Sequence, residues 1–285
     1  MTTAGEPFSM SDDIQKITSA SNPLVKMLRG LDRKKNRTET GLFLAEGARL
    51  VQQGLDNNWD ISTLITSEYG LQRDHIRALA DKALATGARV AQVPERVMGM
   101  ITRKDNPGAI IGAFRQQHRT LSALERSGQG IWIALYEVRD PGNLGTILRT
   151  VDCAGLAGVV LLETCCDPYS VEAVRASMGS VFDIPFVPAS FDAFNDWRKS
   201  QHLTMLAASV NGTSRHDAAP YGNKAVILMG NEQAGLPDSV EAECDHLCLI
   251  PMRGGADSLN LAQATAIMSY EAWRQQGYPG ARETD

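Results

Sequence analysis

Five cysteines in 285 residues is few. They are scattered apart from Cys165-Cys166, contain no CxxC pair and leave an odd thiol. This excludes a disulfide framework and suits reduced thiols in a cytosol. The histidines, His75, His118, His202, His216 and His246, are equally dispersed. None has metal-ligand spacing, so no metal is expected and all five read as structural or surface residues. No apolar run approaches the roughly 20 residues of a membrane helix, so no membrane association is expected. Residues 1–13 are polar and acidic, with neither a signal-peptide apolar core nor an Arg-rich transit pattern. They are expected to be disordered, and the protein cytoplasmic. Internal repeats and low-complexity tracts are missing too. So are the GxGxxG and P-loop fingerprints, which counts against a nucleotide-dependent α/β enzyme of those kinds. The formal charge is −5, so a polyanion could bind only where positive charge is concentrated locally.

One segment concentrates it. Ser21-Asn22-Pro23 caps a helix start, with proline near the first position. Leu24, Met27, Leu28 and Leu31 form its apolar face. Lys26, Arg29, Arg33, Lys34, Lys35 and Arg37 surround that face, opposed only by Asp32. In an acidic protein this is a phosphate-binding surface; the plainer alternative is a solvated helix face. Strand and helix patterns then alternate to about residue 115, making a small α/β domain over 14–115. Residues 116–130 are polar, include Ser127-Gly128-Gln129-Gly130, and read as a linker.

From 131 to 280 the alternation is clear. Apolar runs at 131–138, 158–163, 204–210, 225–230 and 246–252, with a weaker one at 185–189, read as buried strands separated by helices. Continuous apolar strands of this kind make a parallel sheet covered on both faces. The last strand runs to Met252 and breaks into Arg253-Gly254-Gly255-Ala256-Asp257. Ser258 or Asp257 offers an N-cap for a long helix, which Gly277 and Pro279 end. That helix has two apolar stripes: Ala262, Ala266, Tyr270 and Trp273 on one, Leu261, Ala264, Met268 and Ala272 on the other. A surface helix needs only one, so the second suggests a partner subunit. Ligands of open α/β sheets bind at such carboxyl-terminal strand ends.

Three segments at strand ends carry a resemblance. They are Asn143-Leu144-Gly145 with Arg149; Gly230-Asn231-Glu232 with Gly235-Leu236; and Ile250-Pro251-Met252 with Gly254 and Ser258-Leu259-Asn260. In this order they resemble the three motifs of the SpoU-type (TrmH-like, SPOUT superfamily) RNA ribose 2′-O-methyltransferases. The stretch from Arg175 to Ser180 resembles a family loop. Asn22-Pro23, Lys26, Phe43 and Glu46-Gly47 are similar to the substrate-binding domain that often precedes this methyltransferase domain, itself like a group of small RNA-binding ribosomal proteins.

The resemblance implies an α/β protein whose C-terminal parallel-sheet domain contains a deep trefoil knot, preceded by a smaller α/β RNA-binding domain. It implies S-adenosylmethionine as cofactor, RNA as partner and a homodimer through the C-terminal domain. Ala208, Ser209, Gly230, Gly235, Ile250, Met252, Ser258 and Leu259 are then expected at the cofactor. Arg149, Asn143, Glu232, Ser258 and Asn260 are expected in catalysis, and Asn22, Lys26, Arg29, Arg33, Lys34, Lys35, Arg37 and Arg175 on RNA. The expected reaction is methylation of a ribose 2′-hydroxyl, with 23S-type ribosomal RNA favoured because the N-terminal domain resembles that of ribosomal enzymes. The alternatives are a tRNA 2′-O-methyltransferase and a non-catalytic RNA-binding ribosome-assembly factor. Two departures from the family pattern stand out. Gln263 replaces an apolar residue, which bears on local packing or the dimer contact. Val171-Glu172 replaces Pro-Lys, which removes a positive charge near Arg175.

Overall fold

The computed structural model describes residues 14–127 and 130–281. The segment 1–13, expected to be disordered, lies outside them, as do residues 128 and 129 of the expected linker. The chain divides into two units, one within Met1–Gln116 with Tyr169–Val171, the other within Gln117–Pro168 and Glu172–Asp285.

The first unit contains β1 (Gln15–Lys16), α1 (Pro23–Gly30), α2 (Lys34–Thr40), β2 (Leu42–Glu46), α3 (Ala48–Asp56), β3 (Ile61–Ser67), α4 (Asp74–Ala85), β4 (Arg89–Val93), α5 (Glu95–Thr102) and β5 (Ile110–Arg115). Its sheet has the order β1-β4-β3-β5-β2. β1, β4 and β3 are parallel, while β5 runs antiparallel to both β3 and β2. Asn22 caps α1 through Oδ1, which accepts from Leu24 N at 2.9 Å. Leu24, Val25, Leu28 and Leu31 then join Val97, Met98 and Ile101 in the core.

The basic segment is two helices rather than one, because Arg33 is extended and restarts the chain as the cap of α2. This turns Arg37 inward, correcting its expected place on the RNA-facing surface. Arg37 is only 3% exposed, and its Nη1 donates to the carbonyls of Leu31 and Asp32 at 2.9 and 2.8 Å. A guanidinium carries enough donors to satisfy the carbonyls left open where α1 ends.

In the second unit, residues 121–127 of the expected linker form a 3-10 helix, and Leu124 is buried in the core. The elements that follow are β6 (Gly130–Tyr136), α6 (Pro141–Cys153), β7 (Gly158–Leu162), α7 (Val171–Ala176), β8 (Phe186–Ala189), α8 (Phe191–Ser200), β9 (Thr204–Ala208), β10 (Ser214–Arg215), β11 (Lys224–Met229), α9 (Asp238–Glu241), β12 (His246–Leu249) and α10 (Leu261–Gln275). Seven strands make one parallel sheet, ordered β10-β12-β9-β11-β6-β7-β8. The apolar runs are buried as expected, with Ile131 to Leu135 at most 2% exposed. Parallel strands share one carboxyl-terminal edge, so the loops after β6, β9, β11 and β12 emerge side by side.

Two boundaries differ from the sequence expectation. β12 ends at Leu249, and Met252 is 42% exposed; Pro251 has no N–H with which to extend the ladder. The cap of α10 is Asn260 rather than Asp257 or Ser258: its Oδ1 accepts from Ala262 N and Gln263 N at 2.9 and 3.3 Å. The C-terminal end behaves as expected, with Gly277 at φ +78° just beyond it. Of the two apolar stripes, Leu261, Met268 and Ala272 are buried, together with Ala262. Tyr270 of the other stripe is 43% exposed. Gln263 points to solvent, so its polarity creates no packing conflict.

Close packing on α6 depends on Gly145. A Cβ there would collide with the carbonyl oxygen of Ala173 and lie 2.6 Å from Ala176 Cβ. Gly145→Ala is therefore expected to cost about 2 kcal/mol, as overpacking of a tight contact does. Chemical denaturation would measure it, and an unchanged midpoint would contradict the contact. Among the described residues no helix is long and apolar enough to cross a membrane.

Candidate active site

The site grows from the first turn of α6. Asp140 caps this helix, its Oδ1 accepting from Asn143 N at 2.6 Å, and Pro141 occupies the first position. Asn143 is thereby held at the sheet edge. Glu232 comes from the turn after β11. Its Oε2 accepts from Arg139 N at 3.2 Å, and its Oε1 from Asp140 N at 3.1 Å and Asn143 Nδ2 at 3.3 Å. Asn260 Nδ2 donates to Asn143 Oδ1 at 2.9 Å.

The direction of this chain is dictated at both ends. Asn260 Oδ1 is committed to the N–H groups of α10, so its amide nitrogen must face Asn143. Asn143 must then present its own nitrogen to the carboxylate, which accepts only. One carboxylate and two amides thus join the loops after β6, β11 and β12.

Partial burial pushes the carboxyl of Glu232 up. The N–H groups of its own backbone, of Arg139 and of Asp140, with the Asn143 amide, outweigh that and hold it below the ordinary carboxylate range. It is ionised at neutral pH.

The turn holding Glu232 is closed by Asn231, which the sequence reading placed in a motif but not among the site residues. Its Oδ1 accepts from Gln233 N and Ala234 N, both at 2.9 Å, and its Nδ2 donates to Glu137 O at 2.8 Å. Gly230 precedes it, where a Cβ would lie 2.5 Å from Gly235 C. Any side chain at 230 would force the turn open.

Beside this turn is a cavity of about 300 Å³. Ala208, Ser209, Gly230, Gly235, Ile250, Met252, Ser258 and Leu259, all assigned to a cofactor from sequence, lie on its wall. Leu236, Leu249 and Leu261 add apolar surface, and Asn211 and Glu241 add polar groups. Sequence reasoning missed Glu241, because a carboxylate in the four-residue helix α9 carries no pattern. Cys248 also lines the cavity; burial pushes its thiol up to about 11, so it is protonated at neutral pH. Burial likewise raises Cys165 to about 11 and Cys166 to about 12.

Arg149 lies outside both the network and the cavity wall. Six residues beyond Asn143, it is rotated about 120° around α6. It is exposed, and no hydrogen bond or ion pair engages it among the described residues. In the first unit, Lys26, Arg29, Arg33, Lys34 and Lys35 are exposed while Asn22 serves as a cap. Arg175 is half-exposed on α7.

Residues 130–270 match the SpoU rRNA Methylase family, and residues 22–112 match the MRM3-like substrate binding domain. The chain is 31% identical over 278 residues to an uncharacterized tRNA/rRNA methyltransferase of Synechocystis, spanning 94% of this chain and 97% of that protein. This chain belongs to the SpoU rRNA methylase family. A 23S rRNA (guanosine(2553)-2′-O)-methyltransferase of Bacillus subtilis is 29% identical over 257 residues, covering 90% of this chain and 98% of the relative. Among solved structures, the AdoMet-bound rRNA methyltransferase of Sinorhizobium meliloti superposes with a TM-score of 0.86 at 42% identity, covering 92% and 98% of the two chains. In this SpoU member, the three segments that carry the resemblance are the ones that the Glu232–Asn143–Asn260 chain ties together.

Asn260 gives this SpoU site a stability signature. Asn260→Ala is expected to cost about 1 kcal/mol through the lost cap and to free Asn143. Thermal unfolding would show the first effect, and a lower methyl-transfer rate the second. A variant of full stability and rate would break the proposed link.

Proposed function

We propose that this protein transfers a methyl group from S-adenosylmethionine to a ribose 2′-hydroxyl of structured RNA, ribosomal RNA of the 23S type being the favoured substrate. The observation that carries this reading is the convergence of the three motif loops at one sheet edge, where an amide–carboxylate chain borders a cavity. The cavity residues fit an adenosyl donor. Leu236, Ile250 and Leu261 offer apolar walls to a purine. The tight turn from Gly230 to Gly235 brings backbone polar groups to the wall, and Ser209 and Asn211 offer polar partners to hydroxyl groups. When bound, S-adenosylmethionine supplies an electrophilic methyl on a sulfonium.

The chain's own residues supply alignment. A ribose hydroxyl is a weak nucleophile, and most of the gain comes from holding it in line. Arg149 remains a cation in proteins and cannot serve as base. It instead grips the phosphate beside the target ribose, orients the hydroxyl and stabilises the developing alkoxide, while the hydroxyl proton passes to solvent water and the sulfur leaves as the neutral thioether. Glu232 spends its acceptors on loop N–H groups and on Asn143, so it acts as a positioning residue. Ser258 contacts the target nucleotide.

In this reading residues 14–115 form the RNA substrate-binding domain and 131–280 the methyltransferase domain, and the expected linker 116–130 gives its 121–127 helix and Gly130 to the second unit. Lys26, Arg29, Arg33, Lys34 and Lys35 of the first unit meet RNA phosphates, assisted by Asn22, and Arg175 of the second unit is a separate RNA contact. The C-terminal domain is knotted, and the protein is a cytoplasmic homodimer. Support for the dimer comes from α10, whose Ile267 and Tyr270 are 36% and 43% exposed. Tyr270 packs edge-on to Trp273, and Trp273 on Tyr278, with ring centroids 5.6 and 5.0 Å apart.

The test is transfer of labelled methyl from S-adenosylmethionine to total bacterial RNA, followed by digestion to nucleosides. Label on a 2′-O-methyl nucleoside, with wild type but not Arg149→Ala, is the expected result. Binding of donor and RNA without transfer would sink the enzymatic reading in favour of a binding factor.

A further inference from the structure

Among the described residues, the cavity wall carries two carboxylates, Glu232 and Glu241, and no lysine, arginine or histidine. The two are not equivalent. Glu232 faces two backbone N–H groups and an amide, whose dipoles offset its charge. Glu241, at the end of α9, is half-buried. Its Oε1 accepts from Ser209 Oγ at 2.6 Å, and that hydroxyl oxygen accepts from Asn211 N at 3.1 Å. The hydrogen bonds hold the carboxylate against the loop after β9. Among the described residues no cation pairs with Glu241, and its second oxygen has no hydrogen-bond partner. Among the described residues it is the wall carboxylate that no N–H group or cation faces.

We propose that Glu241, held by Ser209, makes this cavity favour a positively charged adenosyl donor over the uncharged thioether left after transfer. The inference rests on the reading of the cavity as the donor site. S-adenosylmethionine and S-adenosylhomocysteine share adenine, ribose, ammonium and carboxylate, and contacts to those parts bind both alike. They differ by the methyl and by one positive charge at sulfur. A fixed carboxylate on the wall therefore acts on their difference, and its attraction falls when that charge disappears. This lowers the hold on spent donor relative to fresh donor, which favours exchange after each turnover.

Isothermal titration calorimetry of the full chain at low ionic strength tests this with three ligands. These are S-adenosylmethionine, S-adenosylhomocysteine, and an analogue bearing a protonated amine in place of the methylsulfonium. Glu241→Gln keeps the shape and removes the charge. It is expected to weaken both cationic ligands about fivefold and the thioether by less than about twofold. Glu241→Asp, which keeps the charge, should retain the wild-type preference, separating charge from any loss of fold. Equal weakening of all three ligands would reassign Glu241 to a shared part of the ligand and overturn the proposal. So would no change in any of them. A wild type that binds none of the three would instead remove the donor-site reading itself.

Discussion

Replacing Arg149 with alanine is expected to slow methyl transfer about 10²–10³-fold, the usual cost of removing a charge-stabilising donor from a reacting centre. Three further outcomes follow from its position. Arg149 is exposed and unengaged among the described residues, so the variant should unfold at the wild-type temperature. It is not on the cavity wall, so donor affinity should stay within about twofold. The loss should appear in the single-turnover rate at saturating donor and RNA. Arg149→Lys separates charge from geometry. A lysine is a point charge and cannot make the two parallel bonds of a guanidinium to one phosphate, so it should recover only part of the rate. A lysine enzyme of near-normal rate would rule out bidentate gripping. An alanine variant that transfers normally would remove Arg149 from the reaction.

Glu232→Gln is the second large effect, and it strikes the loops rather than the substrate. Three donors converge on the carboxylate: Arg139 N, Asp140 N and Asn143 Nδ2. A glutamine can offer one carbonyl oxygen, while its NH₂ group would face a donor. Charge-assisted hydrogen bonds to a half-buried carboxylate are each worth more than neutral ones, and losing this set should cost about 2 kcal/mol of stability. Donor binding and turnover should fall together, since Glu232 lies on the cavity wall and holds Asn143. Unchanged donor affinity alongside lost turnover would instead mark Glu232 as acting only on the reacting atoms.

Acid provides an independent reading of the same carboxylate. Its native value is lowered from the ordinary 4.5. A lowered carboxyl contributes stability that is fully present above its unfolded value and is lost as pH falls through its folded value. The stability gap between wild type and Glu232→Gln should therefore be constant near neutrality. It should shrink only in acid below about pH 4.5, as denaturation midpoints measured across that range would show.

Particular residues show how far the sequence could be read. The cap at Asn22 was legible because capping is local: the side chain reaches its own next residues, and proline follows. The buried strands of the second unit were legible because a parallel sheet covered on both faces needs apolar residues in unbroken runs. Six of the eight cavity residues were singled out through their motifs, Ala208 and Ser209 as a neighbouring strand end, and the sheet then gathered them. Arg37 was misjudged because it shares its composition with its neighbours. Whether an arginine faces water or folds back onto carbonyls depends on the restart at Arg33, which leaves no mark in charge pattern. β12 was read too long because Ile250 and Met252 are as apolar as a strand requires; only Pro251 hinted at the stop. Glu241 was invisible, being one acidic residue among several in a polar stretch.

What the sequence determined by itself was the class of the molecule: strand and helix alternation, the three motifs in order, their places at strand ends, and a basic segment in an acidic chain. These depend on residues near one another, where periodicity, capping and turn chemistry act. Tertiary structure alone decided which groups meet. Asn143 and Asn260 touch across 117 positions of sequence, and Glu232 reaches Asp140 across 92. Such contacts exist because β6, β9, β11 and β12 end on one edge in an order that chain position does not dictate. Once that edge is assembled, the one-way demand of amide and carboxylate hydrogen bonding settles the rest of the site.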